Sequence, residues 1–162
     1  MSDTEHLDWA ENIAVEHLKG RLATADVLLA QSNQLLNLVL TSMAGAIAFG
    51  VKVFSAGNSA VDWGCAALSV WLALTAVMLI TCCIRTRSTP CLYNEPKHVY
   101  PLTDLPLDQI RAYELENMQA RIDQAKDRNR RVACWLDRCR YMASATPICF
   151  GIAVTLASYL KS

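Results

Sequence analysis

Three stretches of this chain carry no charged residue: Val27 through Val51, Trp63 through Ile84, and Tyr141 through Leu160. At 1.5 Å of rise per helical residue, each reaches the roughly 20 residues that cross about 30 Å of hydrocarbon. Hydrophobic residues make up 53% of the chain and aromatic residues only 7%, a Leu, Ala and Val richness that a small water-soluble core rarely needs. The expected fold class is therefore an all-α integral membrane protein with three transmembrane helices, over residues 35–54, 62–84 and 141–160. The second is the strongest, because each Leu, Ile, Phe or Val near mid-bilayer favours insertion by roughly 0.3 to 0.6 kcal/mol. The third carries Ser144, Thr146, Pro147 and Ser158 and needs neighbouring helices to hold it.

Positive charge sets the expected orientation. Lys52 stands alone beside the short connection after the first run, whereas Arg85, Arg87, Arg128, Arg130, Arg131, Arg138 and Arg140 lie between the second and third runs. Arginine and lysine favour the cytoplasmic side, so the long middle segment and the N-terminus are expected inside, with a tight outer turn at Gly57 and Asn58. The C-terminal Lys161 is then outside. The polar, net acidic opening (Asp3, Glu5, Asp8, Glu11, Glu16) is no secretory leader, so the spans themselves are expected to target the chain.

The stretch TCCIRTR, Thr81 to Arg87, sets two cysteines against two arginines. With the arginines at the lipid phosphates, Cys82 and Cys83 read as small apolar residues of the last membrane turn. The seven cysteines include no CxxC pair and no nearby CxxH, so zinc and redox chemistry are not expected. Six of them fall in the cytoplasm or a span, and Cys65 has no outer partner, so disulfides are not expected either. No nucleophile stands beside a base at motif spacing, and neither HExxH nor GxxxxGK[ST] occurs. A non-enzymatic protein without a cofactor is expected.

The polar parts read as helices. Leu18, Leu22, Ala25, Leu29, Ser32 and Leu36 follow steps of four and three, the seam of a helix that packs on another helix, and this stem (residues 1–34) is expected to run unbroken into the first span. A second seam runs through Leu115, Met118, Ile122, Ala125, Asn129, Val132, Leu136 and Cys139 in a helix over 107–140 that begins after Pro106. The two seams invite pairing into a coiled-coil-like cytoplasmic collar. Asn129 in that seam either fixes register or oligomer state or faces water. Residues 85–106, with their prolines, read as a strap joining the parts.

Within the first span Asn33, Asn37 and Thr41 recur every four residues as one polar stripe, and Ser42, Ala46 and Gly50 repeat as small-xxx-small, which lets helix backbones approach in lipid. Two readings of the stripe stand: hydrogen bonds to the other spans of the same subunit, or a narrow neutral pore lined by several subunits of a homo-oligomer. The arginines between the spans read as contacts for anionic headgroups, at about 1 kcal/mol each near such a surface, or for a cytoplasmic partner. Only Trp135 and Tyr141 accompany them, too few aromatics for a nucleic-acid platform, and none is expected. His6, His17 and His98 lack metal spacing, and Asp26 reads as an ion-pair partner of the second cytoplasmic helix.

With this layout the chain resembles the membrane effectors of the pyrimidine cyclase (Pycsar) antiphage systems, and more loosely the short membrane effectors of nucleotide-signalling defence islands. The matching parts are RLATADVLLAQSNQLLNLVL leading into the first span, the hairpin to a second span ending in basic residues, and QARIDQAKDRNRRVACWLDRCRYM running into the last. The resemblance implies an inner-membrane protein held quiet until a cyclic-nucleotide or protein signal arrives, which then impairs the membrane and stops phage spread. No stretch is long enough for the nucleotide-sensing domain some relatives carry, so the trigger would act on the cytoplasmic helices or on an assembly of chains.

Overall fold

A computed structural model describes residues 3–55, 59–85 and 106–160. Among them every element is helical: α1 (Asp3–Ser55), α2 (Ser59–Met78) continued by a π-helical segment (Leu79–Ile84), α3 (Leu107–Ser144) and α4 (Thr146–Tyr159). The expected outer turn at Gly57 and Asn58, Arg87, Cys91, His98 and the body of the strap lie outside the described residues.

α1 holds no proline, so nothing interrupts its hydrogen-bond ladder where the polar stem gives way to the apolar run. Its buried face repeats in steps of seven through Leu18, half-buried Ala25, Ser32, Val39 and Ala46, which keeps one stripe on one side of a very long helix. Leu29, assigned to the seam from the sequence, is 41% exposed, and the stripe passes through half-buried Leu28 instead. With Ala25 and Ser32 both inside, the intervening inward position is three residues on from Ala25, not four.

Contacts divide the described chain into two units, each holding part of α1 and part of α3. In the first, α1 up to Leu28 packs on α3 up to Arg131 around Ala14, Leu18, Met118, Ile122 and Ala125, with Val15, Leu22 and Leu115 packed against them. The two helices run in the same direction, since Arg111 meets Glu11 and Asn129 meets Arg21. Alternating large and small side chains (Leu18 and Ile122 beside Ala14 and Ala125) let the pair interdigitate as a coiled coil does.

The second unit takes the rest of α1, α2, the π-helical segment, the end of α3 and α4. Gly64 of α2 lies so close to α4 that a Cβ there would sit 2.5 Å from Val154 Cγ2 and 2.9 Å from Phe150 Cε2. Gly50 of α1 likewise abuts Cys65, where a Cβ would be 3.1 Å from Cys65 Cβ. Close approach through glycine is the packing expected of helices that gain little from burying apolar surface in lipid. Large apolar side chains face outward: Leu38, Ile47 and Phe49 on α1, Val70 and Val77 on α2, and Ile152 and Leu156 on α4 are all exposed. No residue of α4 is buried. By length and composition two helices could cross a membrane, α1 and α2 with its π-helical end, or three if α3 and α4 form one bent span.

Two local breaks differ from the uniform helices the sequence suggests. Arg85 N–H donates to Ile80 O at 2.8 Å, an i to i+5 bond that widens the end of the second apolar helix. Thr81 Oγ1 donates to Val77 O and to Met78 O in the turn before, as Thr75 Oγ1 donates to Trp71 O in the regular part of α2. Further on, α3 ends at Ser144 and α4 leaves at 43°. Pro147 supplies the reason, for its ring has no N–H to offer Ala143 O and crowds that carbonyl.

Candidate functional site

In the first unit the collar residues Leu18, Met118 and Ile122 are buried, and Leu22 and Leu115 are half-buried. Asn129 is buried among them and donates from Nδ2 to Arg21 O at 2.7 Å. A carboxamide fixed to one carbonyl admits one axial alignment of α1 and α3, which is a register role. Near the amino end of the pair, Arg111 grips Glu11 through a fork, Nε to Oε1 at 2.7 Å and Nη2 to Oε2 at 2.9 Å, and also meets Asp8. Hydrogen bonds to Glu11 and then to Asp8 raise the guanidinium pKa above the ordinary arginine range. Beside this core a groove of about 400 Å³ is walled by Trp9, Ile13, His17, Arg21, Leu115 and Lys126, with Trp9 59% exposed.

In the second unit, Val132 is half-buried and Leu136 buried. Ser32, Cys83 and Cys139, all buried, gather where the π-helical segment meets α1 and α3, with hydrogen-bond contacts from Cys83 to Ser32 and Cys139. Cys83 Sγ also approaches Val132 O at 4.0 Å. Reading Cys82 and Cys83 as small apolar residues missed this meeting of three helices, although Ser32 and Cys139 already stood in the two seams. Among the described residues no group of three His, Cys, Asp or Glu is arranged to hold a metal ion.

The polar stripe of α1 points away from the chain's own packing. Asn33, Asn37 and Thr41 are exposed, and among the described residues none of them hydrogen-bonds to α2 or α4. Of the small-residue set, Ala46 and Gly50 are buried in close helix packing while Ser42 is exposed. Asn37 and Thr41 form one wall of an open groove of about 580 Å³ with Gln31, Gln34, Leu35, Leu38 and Arg140. Arg140 closes one end, donating from Nη2 to Gln31 Oε1 at 2.9 Å and from Nη1 to Asp137 Oδ1 at 3.1 Å. Sequence reasoning singled out Asn37, Thr41 and Arg140 separately. The two glutamines that join them one turn before the span went unnoticed, although the spacing 31, 34, 38, 41 is one helix face.

Among the described residues the other arginines of this set do not gather at one site. Arg85, Arg130, Arg131 and Arg138 are exposed and Arg128 is half-buried. Arg131 Nε donates to Asp127 O, and Arg138 lies over the Trp135 ring at 4.6 Å from its centroid. A guanidinium on an indole face beside an apolar segment suits a membrane border, where both groups keep one wet edge.

Among the described residues the fold is thus all-helical, with two or three helices apolar enough to span a bilayer. No protein-family model, no curated protein and no solved structure matches it.

Proposed function

We propose that this chain is a membrane effector of a bacterial antiphage defence system, one that oligomerises and permeabilises the inner membrane when triggered. The observation that carries the reading is α1, a single helix that belongs to the paired helices at one end and to the apolar helices at the other. In this reading a cytoplasmic protein or a cyclic-nucleotide signal acts on the collar, and α1 carries the response to the apolar helices. The exposed carboxamides of α1 supply the response. Asn37 and its neighbours face outward among apolar residues, and in hydrocarbon a carboxamide without a partner is costly, so copies of the chain associate through that face. In this reading the paired helices are cytoplasmic, the C-terminus is periplasmic, and no catalysis, cofactor or nucleic acid is involved.

The test is induced expression in bacteria carrying a potential-sensitive dye. Depolarisation is expected, and Asn37→Leu should abolish most of it. A normal membrane potential at high expression contradicts the reading. The groove beside Trp9 and Ile13 favours a second reading, a noncatalytic anchor that recruits a cytoplasmic enzyme. Recovery of such an enzyme from detergent extracts with membrane potential intact would support the anchor over the effector.

A further inference from the structure

The groove closed by Arg140 has a polarity that changes along its length, and the order of that change identifies what fits it. Gln31 and Arg140 stand at one end, Gln34, Leu35 and Asn37 follow, and Leu38 lies beyond among exposed apolar residues, with the small hydroxyl side chain of Thr41 on the same wall. Along a helix Gln31 precedes Asn37 by about 9 Å, and the first apolar turn begins at Leu35, so Gln31 lies about 6 Å to the water side of it. The headgroup and interfacial zone on each side of the hydrocarbon is only about 5 to 8 Å deep. Arg140 is therefore at the depth of a lipid phosphate, Gln34 at the depth of the glycerol esters, Asn37 about 3 Å inside the first apolar turn, and Leu38 beside the start of the acyl chain.

We propose that this groove is a binding site for a single glycerophospholipid, its phosphodiester held by Arg140. The proposal rests on the membrane placement argued above. Arg140 is pre-positioned: Gln31 and Asp137 each hold one terminal nitrogen, which orients the guanidinium plane at the groove mouth and leaves further N–H donors for two phosphate oxygens. Asp137 offsets part of the positive charge, so the site selects the phosphodiester common to phospholipids more than a net anionic headgroup. Gln34 and Asn37 offer amide N–H groups to the ester carbonyls, which otherwise meet hydrocarbon on this face. The volume of about 580 Å³ is that of a small-ligand site and accommodates a headgroup with its glycerol. The bound lipid covers the carboxamide face in the resting subunit, and association between subunits replaces it.

Native mass spectrometry of the full-length protein, extracted in detergent from the membrane fraction, tests this. Added dioleoylphosphatidylglycerol and dioleoylphosphatidylcholine should each be retained at one per chain, while dioleoylglycerol, which lacks the phosphate, should be retained at least tenfold more weakly. Arg140→Gln should lower phospholipid retention about tenfold, the loss expected of one charge-assisted contact, and Arg140→Lys should lower it less. Lys19→Gln, an exposed cation of the stem outside the groove, should leave it unchanged and shows that loss of one positive charge elsewhere does not weaken retention. Excess inorganic phosphate should not displace the lipid. Equal retention by Arg140→Gln, equal retention of dioleoylglycerol, displacement by phosphate, or a lipid-free oligomer in the resting state would each overturn the site. Protein found only in the soluble fraction would overturn the membrane reading itself, whereas a membrane-bound chain indifferent to Arg140 would overturn the lipid site alone.

Discussion

Gly64 provides the sharpest test of how α2 meets α4. A Cβ at that position would lie 2.5 Å from Val154 Cγ2 and 2.9 Å from Phe150 Cε2. Non-bonded carbons are comfortable at about 3.5 to 4.0 Å, so Gly64→Ala requires a shift of about 1 Å or more. Overpacking of that kind costs about 1 to 3 kcal/mol. For a chain of this size each kcal/mol moves Tm by about 2 to 4 °C, so a fall of about 2 to 12 °C is expected in detergent, followed by the helical circular dichroism signal. Both obstructing atoms belong to side chains, so trimming one should relieve the strain. Val154→Ala introduced with Gly64→Ala should recover most of the loss. Gly151, around which a Cβ meets nothing within 4 Å, is the control, and Gly151→Ala should hold or raise Tm because alanine is the better helix former by up to about 1 kcal/mol. A Gly64→Ala protein that melts with the wild type, or a double variant no better than the single one, would refute the close approach.

Other outcomes follow from the same packing. Leu18 is fully buried against Met118 and Ile122, so Leu18→Ala should destabilise the paired helices by about 2 to 5 kcal/mol, read as loss of amide protection in residues 107–131 by hydrogen exchange. Thr146 Oγ1 is buried without a hydrogen-bond partner, and Thr146→Val, which keeps the shape and removes the orphan, should raise Tm by an amount equivalent to about 1 kcal/mol. The raised pKa of Arg111 means that the stability it contributes is fully present below the ordinary arginine value and lost only as pH rises above it. The stability difference between wild type and Arg111→Ala should therefore not change through deprotonation of this group between about pH 6 and about pH 9, as denaturant melts at several pH values would show.

Much of the architecture was legible because the signals were periodic and long. The uncharged runs located the apolar helices, and the steps of three and four from Leu115 to Cys139 fall on the face that α3 buries. The stem seam coincides with buried Leu18 and half-buried Leu22 and leaves the buried face at Leu29, where apolar residues occupy adjacent positions and pattern alone does not say which faces in. The π-helical end of the second apolar helix was hidden for a different reason. It rests on the backbone bond from Arg85 N–H to Ile80 O, a choice of partner that composition does not display. The bend at Ala145 had a visible cause in Pro147, yet the absence of charge from Tyr141 through Leu160 favoured reading one continuous span. In the site, Asn37, Thr41 and Arg140 were each conspicuous, but a hundred residues separate the arginine from the helix face it caps, and only the fold brings them together.

Whether the bent pair of α3 and α4 crosses the bilayer decides the topology on which the effector reading stands. The direct measurement is protease access to an epitope tag fused after Ser162 in intact spheroplasts. Cleavage of the tag from outside, with residues 107–131 protected until lysis, is the expected result. A tag that stays protected until the cells are broken would contradict three spans and with them the cytoplasmic collar joined to a periplasmic C-terminus.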